Sequence, residues 1–81
     1  GILEDIKDIL LKVDNWNETT LDSVLKNYQN EYNLPAPKVN QPIRIALTGS
    51  TKSPSLGLTL SIFGKEESIK RIQNLIGIIN D

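Results

Sequence analysis

The stretch QPIRIALTGSTKSPSL, residues 41–56, decides between two folds for this chain of 81 residues. Residues 43–45 (IRI) alternate like a β-strand, and β-branched side chains favour strands. Against a strand, Pro42 would lie in the first turn of a helix that Gly49 would end, which are the favoured places of proline and glycine. No second β-rich run is present to pair with a strand. We therefore predict a helix here.

Helical spacing also sorts the side chains of this stretch into two faces. Arg44 and Thr48 are one turn apart and share a polar stripe with Gln41. A loop rich in serine, threonine and lysine, residues 49–53, follows them. The apolar face of the predicted helix consists of Val39, Ile43, Ala46 and Leu47.

Three other segments show the apolar periodicity of helices: residues 2–13, about 18–33 and about 66–79. Asn17 is predicted to be the N-cap of the second. The apolar stripes are Ile2, Ile6, Ile9, Leu10 and Val13 in the first, Leu21, Val24, Leu25, Tyr28 and Tyr32 in the second, and Ile69, Ile72, Leu75, Ile76 and Ile79 in the third.

A further helix is predicted to begin at Ser53-Pro54, an N-cap followed by proline at the first position, and to end at Gly64. Residues 34–38 are predicted to form a semi-rigid connection, because prolines crowd this part of the chain. The predicted fold is all-α, a compact bundle of about five short helices in a single domain, residues 1–81. The aromatic side chains are expected in its core: Trp16, Tyr28, Tyr32 and Phe63.

The composition argues against an enzyme complete within these residues. Cysteine and histidine are both absent, which removes disulfides, the usual zinc sites and imidazole bases. The close acid pairs, Asp5/Asp8 and Glu66/Glu67, lie at predicted helix starts, where carboxylates favour the helix dipole. The loop TGSTKS lacks the spacing of a phosphate-binding loop. We therefore expect no metal and no cofactor bound by this segment.

Contact with a membrane is also not expected, because no apolar run approaches the ~20 residues of a spanning helix. The start, GILEDIKD, carries acids where a secretory leader carries bases. Residues 1–33 hold seven acids and three bases, a net charge of −4, whereas residues 34–81 hold six bases and three acids, a net charge of +3. This asymmetry indicates either a face that meets an anionic partner or a solvated loop region.

The strongest candidate site is a nucleic-acid surface near Arg44. Thr48 would point the same way, and Lys52 and Ser53 of the loop can reach phosphate or sugar oxygens. A helix start at Ser53-Pro54 would present free backbone N–H groups, and Leu56 with Pro54 would form a small platform for a base. The alternative is that Ser53 only caps a helix and Arg44 only lies along an apolar face. Charge and periodicity leave both interpretations open.

Residues 41–72 closely resemble the C-terminal end of bacterial-type glutamyl-tRNA synthetases. That family shows a proline-arginine helix ending in A-L-T-G, a variable loop, a proline-started helix, then L-G-K-E and an arginine-isoleucine pair. The matching residues here are Pro42, Arg44, Ala46, Leu47, Thr48, Gly49, Pro54, Leu56, Gly64, Lys65, Glu66, Arg71 and Ile72. Ser53 and Ser55 depart from the expected Thr and Gly.

The resemblance implies an all-helical anticodon-binding domain excised from a longer, cytoplasmic class I synthetase. Its partners would be the anticodon loop of tRNA-Glu and the preceding helical domain, with ATP and Mg²⁺ used in a catalytic domain outside this segment. The anticodon-binding residues that it implies are Arg44, Ser53, Pro54 and Leu56. A free-standing helical module for protein or nucleic-acid contact is the alternative function.

Overall fold

The computed structural model describes residues 1–52 and 54–79, and these residues form five α-helices without a β-strand. In chain order the helices are α1 (Ile2–Leu11), α2 (Glu18–Glu31), α3 (Ala36–Thr48), α4 (Leu56–Phe63) and α5 (Lys65–Ile79). The all-α prediction is confirmed, and the decisive stretch is helical up to Thr48. None of the described helices is long and apolar enough to cross a membrane.

Side chains and backbone conformation fix several helix ends at the predicted residues. The Asn17 side chain accepts a hydrogen bond from the Thr20 N–H at 2.9 Å, so Asn17 is the N-cap of α2 as predicted. Gly49 ends α3 in the left-handed region, with φ of 74°, and donates its N–H to the Ile45 carbonyl. Gly64 follows α4 with φ of 82°.

The predicted connection over residues 34–38 is wrong for its second half, because α3 begins at Ala36. Pro35 is the N-cap and Pro37 lies at the second helical position, where a missing N–H costs nothing. Pro42 therefore lies inside the helix and not in its first turn. The Lys38 carbonyl loses its usual i+4 donor there, but Lys38 is exposed to solvent.

The predicted start of the fourth helix at Ser53-Pro54 is also wrong. The helix begins at Leu56, and its N-cap is Ser55, whose Oγ accepts from the Leu58 N–H at 3.3 Å. Ser53 lies outside the described residues. Pro54 precedes the helix and is exposed.

All five helices contribute to one core. Its fully buried side chains include Ile6, Leu10, Leu21, Val39, Ile43, Leu47, Leu60 and Ile72. Trp16 and Phe63 are half-buried against this core, and Tyr28 is 4% exposed, as predicted for aromatic side chains. Tyr32 contradicts the prediction: it lies just beyond the end of α2, is 55% exposed, and packs on the Tyr28 ring.

The α4 helix is held mainly by α2 and α5. Trp16 Nε1 donates to the Leu60 carbonyl at 2.8 Å, which joins the turn before α2 to the middle of α4. The start of α4 lies against α2 and faces α3. A cavity opens between these three helices.

Candidate nucleic-acid interface

A cavity of about 250 Å³ opens between α2, α3 and the start of α4. We call it the α2–α3–α4 cavity. Side chains from all three helices line it: Asp22, Leu25, Lys26 and Gln29 of α2, Asn40 and Arg44 of α3, and Ser55 and Leu56 at the start of α4. Most of these side chains are polar, and they include hydrogen-bond donors as well as acceptors.

Arg44 reaches this cavity because of the way α3 packs. Val39, Ile43 and Leu47 are each fully buried, which directs one face of the helix into the core. Arg44 follows Ile43 in the sequence and is half-buried at the side of that face. This turn of α3 therefore places the Arg44 cation in the cavity wall, while the apolar side chains of the same helix pack into the core.

Two amides and two further charges complete the polar lining. Gln29 Nε2 donates to Asn40 Oδ1 at 3.2 Å, which joins α2 to α3 at one end of the cavity. Lys26 and Asp22 are exposed residues of α2. The lining thus carries two cations, Lys26 and Arg44, and one carboxylate, Asp22, for a formal charge of +1. This local charge is opposite in sign to the net charge of the whole chain, which is −1.

The structure brings together only some of the predicted site residues. Arg44 and Leu56 line the cavity, and exposed Pro54 immediately precedes the cavity residue Ser55. Leu56 is only 3% exposed, so it forms a wall and belongs to the core. Ser53 lies outside the described residues.

Thr48 and Lys52 lie in or near the turn that ends α3, away from the cavity lining. The Thr48 hydroxyl lies 2.9 Å from the Arg44 carbonyl, to which it donates, and it accepts from the Ser50 N–H at 3.2 Å. Lys52 is exposed, and its backbone N–H donates to Ser50 Oγ at 3.1 Å. The Thr48 side chain therefore stabilises the turn, and Lys52 is an exposed residue that follows it.

The prediction of free N–H groups at the start of the fourth helix is wrong. Asp22 Oδ1 accepts from the Gly57 N–H at 2.8 Å, and Ser55 Oγ accepts from the Leu58 N–H. The Ser55 hydroxyl also donates to Glu18 Oε2 at 3.2 Å. With their donors satisfied and two carboxylates nearby, these N–H groups do not form a site for an anion.

The contribution of α2 to the cavity was not predicted from the sequence. Asp22, Lys26 and Gln29 recur at spacings of four and three residues, so they form a polar stripe beside the buried Leu21 and Leu25. This stripe is visible in the sequence. Its relevance depends on the packing of α2 against α3 and α4, which periodicity does not give.

A second cavity, of about 240 Å³, lies on another face of the molecule. It is lined mainly by apolar side chains, among them Ile2, Leu3, Pro42 and Ile76, and the lining includes no lysine or arginine. Among residues 1–52 and 54–79, no three potential metal ligands lie together. Within the described residues, the α2–α3–α4 cavity is therefore the better candidate for contact with nucleic acid.

Residues 1–76 match the model of a family described as "Anticodon binding domain". Curated proteins similar to the chain include glutamate–tRNA ligases of Myxococcus xanthus, 39% identical over 89% of the chain, Herpetosiphon aurantiacus, 38% over 88%, and Legionella pneumophila, 34% over 83%. The matched region makes up only 14–15% of the length of these ligases. The chain thus corresponds to a small part of each relative.

Proposed function

Because this chain belongs to the anticodon binding domain family, we propose that it binds the anticodon loop of tRNA-Glu as the C-terminal part of a glutamate–tRNA ligase. The observation that carries the proposal is the position of Arg44 in a cavity lined by hydrogen-bonding side chains. Proteins recognise single-stranded RNA by stacking unpaired bases on planar side chains and by hydrogen bonds to base edges. The α2–α3–α4 cavity offers both kinds of group.

In this proposal Arg44 is the principal contact to a base. Its guanidinium is planar and permanently charged, so it can stack on a base or donate hydrogen bonds in pairs. Leu56 forms the apolar wall beside it. Pro54, Ser53 and Lys52 precede that wall and would contact the nucleotides outside the cavity, with Lys52 directed to phosphate. Thr48 contributes through the turn that carries this segment.

Lys26 gives a reason to extend the proposed site to α2. It lines the cavity opposite α3 and is exposed, so its ammonium can neutralise a backbone phosphate of a base that enters the cavity. A lysine contact of this kind adds affinity without sequence preference. Arg44 would then supply selectivity and Lys26 would supply part of the salt-dependent attraction.

The remaining parts of the proposal concern the larger protein. In the larger protein, the chain would be one domain of a cytoplasmic enzyme that joins glutamate to tRNA with ATP and Mg²⁺. That chemistry would occur in a catalytic domain outside residues 1–81. A preceding helical domain of the same ligase would be the protein partner, and the 81 residues would contribute tRNA selection.

Titration of the 81-residue chain with an anticodon stem-loop of tRNA-Glu at two salt concentrations tests this function. We expect Arg44→Ala to weaken binding roughly 10-fold or more, because stacking of a single base contributes about 1–3 kcal/mol. Lys70→Ala is the matched control: it also removes one positive charge, but from an exposed position on α5.

The loss of RNA affinity in Arg44→Ala, compared with that in Lys70→Ala, shows whether Arg44 contacts the RNA. Equal losses of affinity in Arg44→Ala and Lys70→Ala would mean that positive charge attracts the RNA without a defined binding site, and the assigned site would be wrong. Absence of binding by the unaltered chain at low salt would contradict the proposed function itself. Thermal unfolding of each variant confirms that the compared proteins are folded.

A further inference from the structure

We propose that Asp22 positions the RNA-binding site by holding the start of α4 against α2. This inference rests on the proposed function, because it concerns the same cavity. Arg44 approaches the cavity from α3, whereas Ser55 and Leu56 approach it from the start of α4. The geometry of the site therefore depends on where α4 begins in space.

The contact of Asp22 with α4 is short and directed. Its Oδ1 accepts from the Gly57 N–H at 2.8 Å, across 35 positions of sequence. Gly57 is the second residue of α4 and is buried, and an N–H at this position has no partner within its own helix. Asp22 thus supplies the acceptor that fixes the first turn of α4.

The approach of the two helices at this point leaves no room for a side chain. A Cβ atom placed on Gly57 would lie 2.4 Å from the Glu18 carbonyl oxygen and 2.6 Å from Asp22 Cγ. The Glu18 carbonyl belongs to the backbone of α2 and cannot rotate away. Glycine at position 57 is therefore required for α4 to pack on α2 as closely as it does.

A second contact holds the residue before the helix. Ser55 Oγ donates to Glu18 Oε2 at 3.2 Å while it accepts from the Leu58 N–H. Pro54 and Leu56, the residues proposed to meet RNA, flank Ser55 directly. The carboxylates of Glu18 and Asp22 lie one turn apart on α2, and they hold the two ends of the segment of residues 55–57.

The negative charge of Asp22 makes this role testable. Near an RNA site a carboxylate repels phosphate, so its removal on electrostatic grounds alone would tighten RNA binding. A positioning role predicts the opposite result for a variant that loses the hydrogen bond. Asp22→Asn separates the two effects, because an asparagine side chain retains an oxygen acceptor for the Gly57 N–H and carries no charge.

The experiment measures dissociation constants of the 81-residue chain and its variants for two RNAs, the tRNA-Glu anticodon stem-loop and the same stem-loop with its three anticodon bases replaced. We expect Asp22→Ala to weaken binding to the first RNA on the order of 10-fold and to reduce its preference over the second. Asp22→Asn should bind at least as tightly as the unaltered chain and keep the preference. Ser23→Ala, at the exposed neighbouring position, is the control.

A merely structural role would reduce the folded fraction and weaken binding to both RNAs equally, so the preference would not change and the inference would fail. Tighter binding by both Asp22 variants would show only charge repulsion and would also overturn it. If Asp22→Ala fails to fold, Asp22→Glu tests the same contact, because it keeps the charge and moves the carboxylate by one methylene group. A reduced preference for the unaltered stem-loop supports the positioning role, and an unchanged preference overturns it. Failure of the unaltered chain to bind RNA would overturn the proposed function and this inference together.

Discussion

At the scale of single residues, Tyr28 shows how a polar atom is accommodated in this core. Its ring is 4% exposed, and its hydroxyl donates to Asp5 Oδ2 at 2.9 Å, which joins α2 to α1. Burial of the phenol, and then the hydrogen bond to Asp5, raise the pKa of Tyr28 from 10.0 to about 12. The carboxylate favours the protonated phenol because that form donates the hydrogen bond.

This shift predicts a loss of stability in alkaline solution. The unfolded chain releases the Tyr28 proton near pH 10, whereas the folded chain retains it to about pH 12. The contribution of this group to the free energy of unfolding is therefore fully present below pH 10 and is lost as the pH rises from 10 towards 12.

Absorbance titration of a Tyr32→Phe variant checks the pKa directly, since Tyr28 is then the single tyrosine of the chain. The expected midpoint is about 12. A midpoint near 10, the value of an exposed phenol, would contradict the hydrogen-bonded and buried environment described for this side chain.

At the scale of helices, Arg71 connects α5 to the end of α3. Its guanidinium donates to the Leu47 carbonyl and to Glu67 Oε2, each at 2.7 Å, and lies 4.4 Å from the centre of the Phe63 ring. The Leu47 carbonyl is one of the last four of α3, which have no partner within the helix. Arg71 therefore has a structural task.

We expect Arg71→Ala to lower the free energy of unfolding by about 1–2 kcal/mol, mainly through the loss of a charged donor to a backbone carbonyl. The exposed pair with Glu67 adds little, because surface ion pairs contribute about 0–1 kcal/mol. Urea denaturation of this variant and of Lys70→Ala measures the difference. Equal stability of the two variants would mean that the Leu47 contact is unimportant.

The helix boundaries show what the sequence allows one to predict and where tertiary structure decides. Asn17 and Gly49 act locally, through caps formed by neighbours in sequence, and both were predictable. The start of α4 was not, because the sequence offers two serines as N-caps, and the side chains that contact the start of the helix, Glu18 and Asp22, are distant in sequence. Pro42 lies within α3, where apolar packing at Val39, Ile43 and Leu47 compensates for the lost hydrogen bond.

At the scale of the whole molecule, the acidic and basic parts of the sequence come together in space. The acidic first part of the chain contributes Lys26 to the same cavity to which the basic part contributes Arg44. Arg44 could be proposed as a site residue from the sequence because it is the cation beside a loop without acids. Asp22, Lys26 and Gln29 could not be proposed, because only the packing of α2 against α3 and α4 brings their polar stripe to the same cavity.

Amide chemical-shift mapping of the isotope-labelled chain locates the surface on which RNA binds. On addition of a tRNA-Glu anticodon stem-loop, we expect the largest shifts at residues of the α2–α3–α4 cavity: Lys26, Asn40, Arg44, Ser55 and Leu56. Residues that line the apolar cavity, such as Leu3 and Ile76, should change little. Shifts concentrated around Leu3 and Ile76, with the α2–α3–α4 cavity unchanged, would mean that RNA does not bind at the proposed site.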